Sequence, residues 1–342
     1  MRTRIAGMLL LMLIVGVSDV SAQSIEVPGI ANSVILNVSP QYPSPGQTVH
    51  ITAESPIVDL ATADISWSEG SKQLPGGLGA TSIDVTAGPL GTRLDIVARI
   101  ETSEGIAITS STSLIPTQID LLYDGDTYSP PFYRGRALPS AGSVLELHAL
   151  PWFRALNGSF IDSKDLIFTW KQGGSIVAAA SGKGKNTARI PLASFASAGN
   201  ITVIAASSDR KLVGETQVQI PIAEPILDLY QEHPLFGILA HAALGSSATI
   251  EDTQATLAAV PYFAPTRSLT DPGLTFEWMV DGAPVPETQG NNQITIEPKT
   301  RKATVSVSLS HNDSIYFGVS GLWNIALQEK SLIQTNAFAP KP

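Results

Sequence analysis

The sequence predicts an all-β protein built as three tandem β-sandwich modules, and three observations carry that prediction. One strand pattern is written three times: Asp64-Ile65-Ser66-Trp67, Ile167-Phe168-Thr169-Trp170 and Thr275-Phe276-Glu277-Trp278 each place an apolar residue two positions before a tryptophan. Alternate residues of a strand share a face, so both side chains of each pair enter one core. The tryptophans recur at a near-constant interval of about a third of the chain, the signature of a repeated unit. Helical periodicity is nearly absent, while short alternating runs follow one another between Gly-, Pro- and Ser-rich turns.

In chain order, residues 1–22 read as an export signal. Arg2 and Arg4 supply the positive start, residues 5–17 the apolar run, and Val20-Ser21-Ala22 the small-residue cleavage pattern before Gln23. The apolar run falls short of the about 20 residues that a hydrocarbon core requires; an uncleaved anchor is the competing reading. No later run approaches that length, so the cleaved chain is expected to have no stable membrane span. The modules are then expected at residues 23–117, 118–223 and 224–342, joined by proline-containing linkers at 115–118 and 221–225 that make the array semi-rigid.

The first module shows Val49-His50-Ile51-Thr52-Ala53 before Pro56, then the Trp67 strand with Gly70 after it. A short strand at Ser82–Thr86, an alternating one at 94–100 and a closing one at 106–110 follow. The second module reads as seven strands: 119–122, 144–149, 166–171, 175–179, Thr187–Pro191, Asn200–Ala206 and 212–220. In the third, residues 251–260 pass for a short helix in isolation, but their counterparts in the other modules make them a strand. Strands at 275–278, 293–297, 303–309 and 315–327 complete it, and 303–309 has the cleanest period of two in the chain.

Seven strands in about 100 residues, with a tryptophan on the third, is the pattern of an immunoglobulin-like sandwich. The expectation is therefore three tandem immunoglobulin-like β-sandwich domains after an N-terminal signal peptide, with Trp67, Trp170 and Trp278 as structural core residues. On those tryptophans and the glycines that follow them (Gly70, Gly173 or Gly174, and Gly282), each unit resembles a bacterial Ig-like or PKD-type module. That resemblance implies a β-sandwich array in an exported protein.

Composition narrows the function classes. Asp and Glu total 30 against 21 Lys and Arg, a net charge of −9, so the cationic surplus that neutralises phosphates is missing and no nucleic-acid partner is expected. Hydrophobic residues make up 43% and charged ones only 15%, ample material for cores. With 0 cysteines there are no disulfides, thiolate metal sites or cysteine nucleophiles. An exported chain without disulfides fits a bacterium, in the periplasm, at the cell surface or outside the cell.

Catalytic signatures are absent. Gly318-Val319-Ser320-Gly321 has the wrong spacing for a nucleophile elbow, and no His-Glu-x-x-His, phosphate-binding or dinucleotide run occurs. His50 and His148 read as edge or surface residues; His233 and His241 are close enough in sequence to be weighed as a metal pair. Asp124-Gly125-Asp126 resembles the start of a calcium loop but lacks the remaining ligands and reads as a turn. Glu224, Asp228 and Glu232 at the next module boundary leave a shared site open. No enzyme activity, cofactor or metal is expected.

The connection after the second strand is longer in the second and third modules and begins Pro151-Trp152-Phe153 and Pro261-Tyr262-Phe263. Such aromatic pairs at a sandwich mouth stack on sugar rings or anchor a protein, or else they cap the core. Trp152, Phe153, Tyr262 and Phe263 are accordingly the candidate ligand-binding residues. A second aromatic cluster, Tyr123, Tyr128, Phe132 and Tyr133 with Arg134 and Arg136, parallels Tyr230 and Phe236 and favours packing. The expected function is a non-enzymatic surface or periplasmic protein acting in adhesion, envelope assembly or spacing, with a protein or glycan of the cell envelope as partner. The alternative is a carbohydrate-binding protein using the aromatic loops.

Overall fold

The computed structural model describes residues 33–192, 199–286, 290–298 and 300–328, so the expected signal segment lies outside the described residues. The chain divides into two compact units, the first holding one pair of β-sheets and the second two pairs. Each pair encloses its own cluster of buried apolar side chains, giving a tandem array of immunoglobulin-like sandwiches.

In the first unit the strands are β1 (Ile35–Ser39), β2 (Thr48–Glu54), β3 (Asp64–Glu69), β4 (Lys72–Leu78), β5 (Ser82–Thr86), β6 (Leu94–Glu101) and β7 (Ala107–Leu114). They form a three-stranded sheet, β1-β2-β5, and a four-stranded one, β4-β3-β6-β7. Small or β-branched apolar residues at every second position define the inner face. Val49, Ile51 and Ala53 of β2 meet Ile96, Ala98 and Ile100 of β6, while His50, Asp95 and Arg99 face out.

The second unit repeats this plan twice. Its first sandwich contains β8 (Gln118–Gly125), β9 (Val144–Trp152), β10 (Ile167–Gln172), β11 (Ser175–Ile176), β12 (Gly182–Lys183), β13 (Thr187–Pro191), β14 (Asn200–Ala206) and β15 (Val213–Gln219). The sheets are β13-β9-β8 and β11-β10-β14-β15, with β12 also pairing with β10. Its second sandwich contains β16 (Ile226–His233), β17 (Gly237–Ile238), β18 (Ser247–Ile250), β19 (Ala255–Tyr262), β20 (Leu274–Val280), β21 (Ala283–Pro284), β22 (Gln293–Ile296), β23 (Lys302–His311) and β24 (Ser314–Leu327). These make β17-β16-β19-β22 and β18-β24-β23-β20-β21.

Several features depart from the sequence reading, among them β4 and β12, which were not expected as strands. The strand expected at 175–179 ends after Ile176, because the Ser181 hydroxyl donates to the Val177 carbonyl at 2.9 Å and the alanines between them turn. Residues 237–238 and 247–250, not anticipated as strands, are β17 and β18, and β18 joins β24 in parallel. The two-residue hairpin turns after the tryptophan strands explain their glycines: Gly173 and Gly174, and Asp281 with Gly282, all have positive φ.

Each of the three repeated tryptophans, Trp67, Trp170 and Trp278, is buried, and its indole N–H is bonded the same way in all three sandwiches. Trp67 Nε1 donates to the Ala80 carbonyl at 2.8 Å, Trp170 Nε1 to Lys185 at 2.9 Å and Trp278 Nε1 to Asn291 at 2.7 Å. In every case the acceptor lies two residues before the strand that begins the return through the opposite sheet: β5, β13 or β22. A matching aspartate precedes each tryptophan strand. Asp59, Asp162 and Asp271 accept the backbone N–H two residues on, from Ala61 at 3.1 Å, Lys164 at 3.0 Å and Gly273 at 2.9 Å.

This arrangement separates apolar burial from hydrogen bonding at one site. Trp170→Ala is expected to lower stability by about 3–5 kcal/mol through the cavity it leaves. Trp170→Phe keeps most of the apolar area and is expected to cost about 1–3 kcal/mol through the stranded Lys185 carbonyl. Urea titrations of the two variants check this, and a Trp170→Phe midpoint equal to wild type would show that the indole bond contributes nothing.

Candidate functional site

The outer face of the β13-β9-β8 sheet is set by strand alternation. Ile119 on β8 and Leu145, Leu147 and Ala149 on β9 point into the core. Asp120, Leu122 and Asp124 on β8 and His148, Leu150 and Trp152 on β9 therefore lie on the opposite face. Leu122 is 56% exposed and Trp152 45%. The Trp152 indole N–H donates to Asp120 Oδ2 at 2.8 Å, which fixes the ring on the surface. A hollow of about 420 Å³ runs beside Leu122, between Asp124, His148 and Arg189.

The equivalent face of the β17-β16-β19-β22 sheet is closed. Register places Ile226 opposite Tyr262 as Gln118 lies opposite Trp152, so Asp228, Tyr230 and Glu232 occupy the places of Asp120, Leu122 and Asp124. Tyr230 is buried, and so are Ala258 and Val260 on β19, although neither faces its own core. The connection between β8 and β9 lies against this face. Phe132 meets Tyr230 edge-on at 5.5 Å, and Tyr133 meets Tyr262 at 5.7 Å and Phe263 at 5.6 Å. Backbone bonds fix the approach: Tyr128 N–H donates to Ala264 at 2.9 Å, Phe263 N–H to Tyr128 at 2.7 Å and Ala223 N–H to Pro139 at 2.9 Å.

A ring of four charges joins the same two sandwiches. Arg189 reaches Asp126 at 3.0 Å and Glu146 at 2.5 Å, while Arg267 reaches Glu146 at 2.7 Å and also pairs with Asp126. The hydrogen bonds that the Arg267 guanidinium donates to Asp126 and Glu146 hold it above its ordinary pKa. Beneath the aromatic connection, burial disfavours the charged form of the acids. Burial pushes the Tyr262 phenol up, helped by its 2.7 Å bond to the Tyr230 hydroxyl, and burial alone raises Tyr128 and Asp228.

The candidate ligand-binding residues separate accordingly. Trp152 is exposed, whereas Phe153 is wholly buried because the inward alternation of β9 continues one step beyond the strand. Its ring lies where a Cβ on Gly214 would come within 3.0 Å, so that glycine makes the space. Tyr262 is half-buried among Tyr133, Tyr230 and Phe263, and Phe263 is buried at a φ of 58°. In this arrangement Phe153 and Phe263 offer no ring face to a ligand. Trp67, Trp170 and Trp278 each lie within the core cluster of their own sandwich.

His50 pairs with Asp84 at 2.8 Å, His148 lies 3.1 Å from Asn186 and His233 packs on Phe236. Among the described residues, no group of three or more His, Asp or Glu is placed to hold a metal ion, and no helix is long and apolar enough to cross a membrane. Asp124 and Gly125, expected as part of a turn, instead end β8, paired with Glu146 and Leu145, and Asp126 just beyond the strand enters the charge ring. Arg189, Glu146 and Arg267 were not singled out by sequence. Arg267 has no local signal, since its partners lie in another sandwich.

No protein-family model matches the chain, and no curated protein matches it. Among solved structures, it is similar to three N-terminal domains of the Highly Immunogenic Outer Capsid protein of bacteriophage RB49, with 10% identity, TM-score 0.25 and coverage of 87% of this chain and 99% of that one. It is also similar to fibronectin(III)-like modules of Clostridium thermocellum CbhA, with 15% identity, TM-score 0.26 and coverage of 55% and 95%. A third is the Bacteroides ovatus protein SGBP-B, in complex with a mixed-linkage heptasaccharide, with 11% identity, TM-score 0.20 and coverage of 86% and 70%. At these scores the fold assignment rests on the paired sheets themselves.

Two expectations follow. Removing the Arg267 charge with Arg267→Met is expected to cost about 1 kcal/mol at low ionic strength and much less in high salt. Urea titrations at both ionic strengths read this out, and equal losses would exclude an electrostatic origin. Asp228 has a folded pKa raised above its ordinary 3.8, so its ionisation opposes folding at neutral pH. Asp228→Asn is expected to raise the melting temperature at pH 7. The advantage should shrink as pH falls through the raised folded pKa and vanish below the ordinary value, as thermal melts across that range would record.

Proposed function

We propose that the chain is a non-enzymatic, exported bacterial protein of three Ig-like modules, at 23–117, 118–223 and 224–342, that acts through protein–protein contacts in adhesion, envelope assembly or spacing. The observation that carries this reading is the open sheet face with Leu122 and Trp152. Its counterpart one sandwich further on is sealed by a docked segment of protein. Aromatic residues are enriched at the centres of protein interfaces, and apolar side chains grouped on one sheet face favour a contact that removes them from water. The signal-like N-terminus supports export, and the lack of cysteine fits a bacterial rather than a eukaryotic exported chain.

The glycan alternative draws on Trp152, whose ring is held in place by Asp120. It is weakened by Tyr262, whose ring is packed against Tyr133 and Phe263 and so forms no second platform. Joint replacement Leu122→Ser and Trp152→Ser tests the choice. Folding stability is expected to change little, as for other exposed positions, while binding to envelope protein fractions falls at least about tenfold. Calorimetric titration with oligosaccharides is expected to give no heat. Saturable oligosaccharide binding abolished by Trp152→Ala would overturn the protein-contact reading in favour of the glycan one.

A further inference from the structure

We propose that the open face of the β13-β9-β8 sheet receives the β16–β17 hairpin of a second copy of this chain, so that chains join head to tail. The inference rests on the protein-contact reading above and names its partner.

The chain already contains one such contact. Between β8 and β9 a turn closed by Tyr133 N–H on the Pro130 carbonyl at 2.9 Å presents Pro131-Phe132-Tyr133. Its two rings seat against Tyr230 and Tyr262 of the next sandwich. The hairpin between β16 and β17 has the same construction. Its turn is closed by Phe236 N–H on the His233 carbonyl at 3.2 Å and presents Pro234-Leu235-Phe236. Here the two large side chains are bare: Leu235 is 83% exposed and Phe236 76%, with the His233 ring stacked behind Phe236 at 4.7 Å.

The receiving surface is matched in the same way. By register Leu122 stands where Tyr230 does, Trp152 where Tyr262 does and Asp120 where Asp228 does. One sandwich thus carries an unused plug and the other an unused socket, each equivalent to a half of the contact made within the chain. Because plug and socket are different surfaces, their union is heterologous and leaves a free half at each end, so association continues beyond a dimer. The charge ring has no equivalent in this contact. Thr256 and Thr295, whose hydroxyls lie 3.0 Å apart, hold the places of Glu146 and Arg189. Association is therefore weaker than the internal contact and is not weakened by salt, which instead screens the repulsion between copies of net charge −9.

Sedimentation velocity of the exported chain over a wide concentration range tests this. The weight-average coefficient is expected to rise with concentration, at least as steeply at high salt as at low salt. Plug variants, Leu235→Ser with Phe236→Ser, and socket variants, Leu122→Ser with Trp152→Ser, are each expected to stay monomeric with unchanged urea midpoints. An equimolar mixture of the two is expected to form a one-to-one complex that grows no further, since each supplies the half the other lacks. A photo-crosslinker at position 236 of the otherwise wild-type chain is expected to capture the 118–152 region of a second chain, a readout that no folding defect mimics. A wild-type chain monomeric at every concentration, a plug variant that still associates, or a mixture that stays monomeric would overturn the proposal. If the wild type is monomeric while the socket variant still loses envelope-protein binding, the second copy is the wrong partner and the protein-contact reading stands. Loss of neither would remove both.

Discussion

The indole-to-carbonyl bond of the three repeated tryptophans is the constraint on which the rest of the structure depends. A sandwich holds its sheets about 10 Å apart by side-chain volume alone, and volume does not fix how one sheet slides over the other. Trp67, Trp170 and Trp278 fix that slide by ending on a carbonyl just ahead of β5, β13 or β22. Where many immunoglobulin domains pack such a tryptophan on a disulfide, this chain has 0 cysteines, and the hydrogen bond is the specific cross-sheet tie. The aspartate before each tryptophan strand complements it by setting where that strand begins.

With the cores so pinned, the outer faces are free to diverge. The β13-β9-β8 and β17-β16-β19-β22 sheets share a register, yet one face is open and the other covered. The cover follows from the long connection after β8, whose Phe132 and Tyr133 reach the next sandwich and whose first residue, Asp126, enters the charge ring. The joint is not optimised for stability alone, since it raises the pKa of Asp228 and leaves a Glu232 oxygen buried without a hydrogen-bond partner. Carboxylates held this way cost the observed packing some stability, which the ring contacts and backbone hydrogen bonds across the joint offset.

How legible these features are depends on how local their causes are. Thr187–Pro191 and Asn200–Ala206 can be placed to the residue from alternation and flanking turns. The strand expected at 175–179 fails because a single hydroxyl, Ser181, competes for the backbone, and no periodicity encodes that. β18 escapes notice because its partner, β24, lies far along the chain and pairs in parallel. At the site, the exposure of Trp152 follows from counting along β9. The same count carried one residue further buries Phe153, so treating the two rings as a pair obscures their opposite directions. Arg267 is invisible in sequence, because a lone arginine in a turn acquires meaning only from Asp126 and Glu146 across the joint.

The charge ring also shapes what the remaining surface attracts. Arg189 and Arg267 are committed to Asp126 and Glu146, so two of the 21 cationic side chains are withdrawn from a surface already short of them. At a net charge of −9, approaching copies repel beyond contact, but physiological salt screens that repulsion within about 8 Å. Inside that distance the apolar contacts at Leu122, Trp152, Leu235 and Phe236 decide the outcome. Long-range repulsion with short-range apolar attraction disfavours indiscriminate aggregation and permits association only where plug and socket meet in register. A chain needing to assemble without disulfides gains specificity from that combination, since neither force alone selects one face of one sheet.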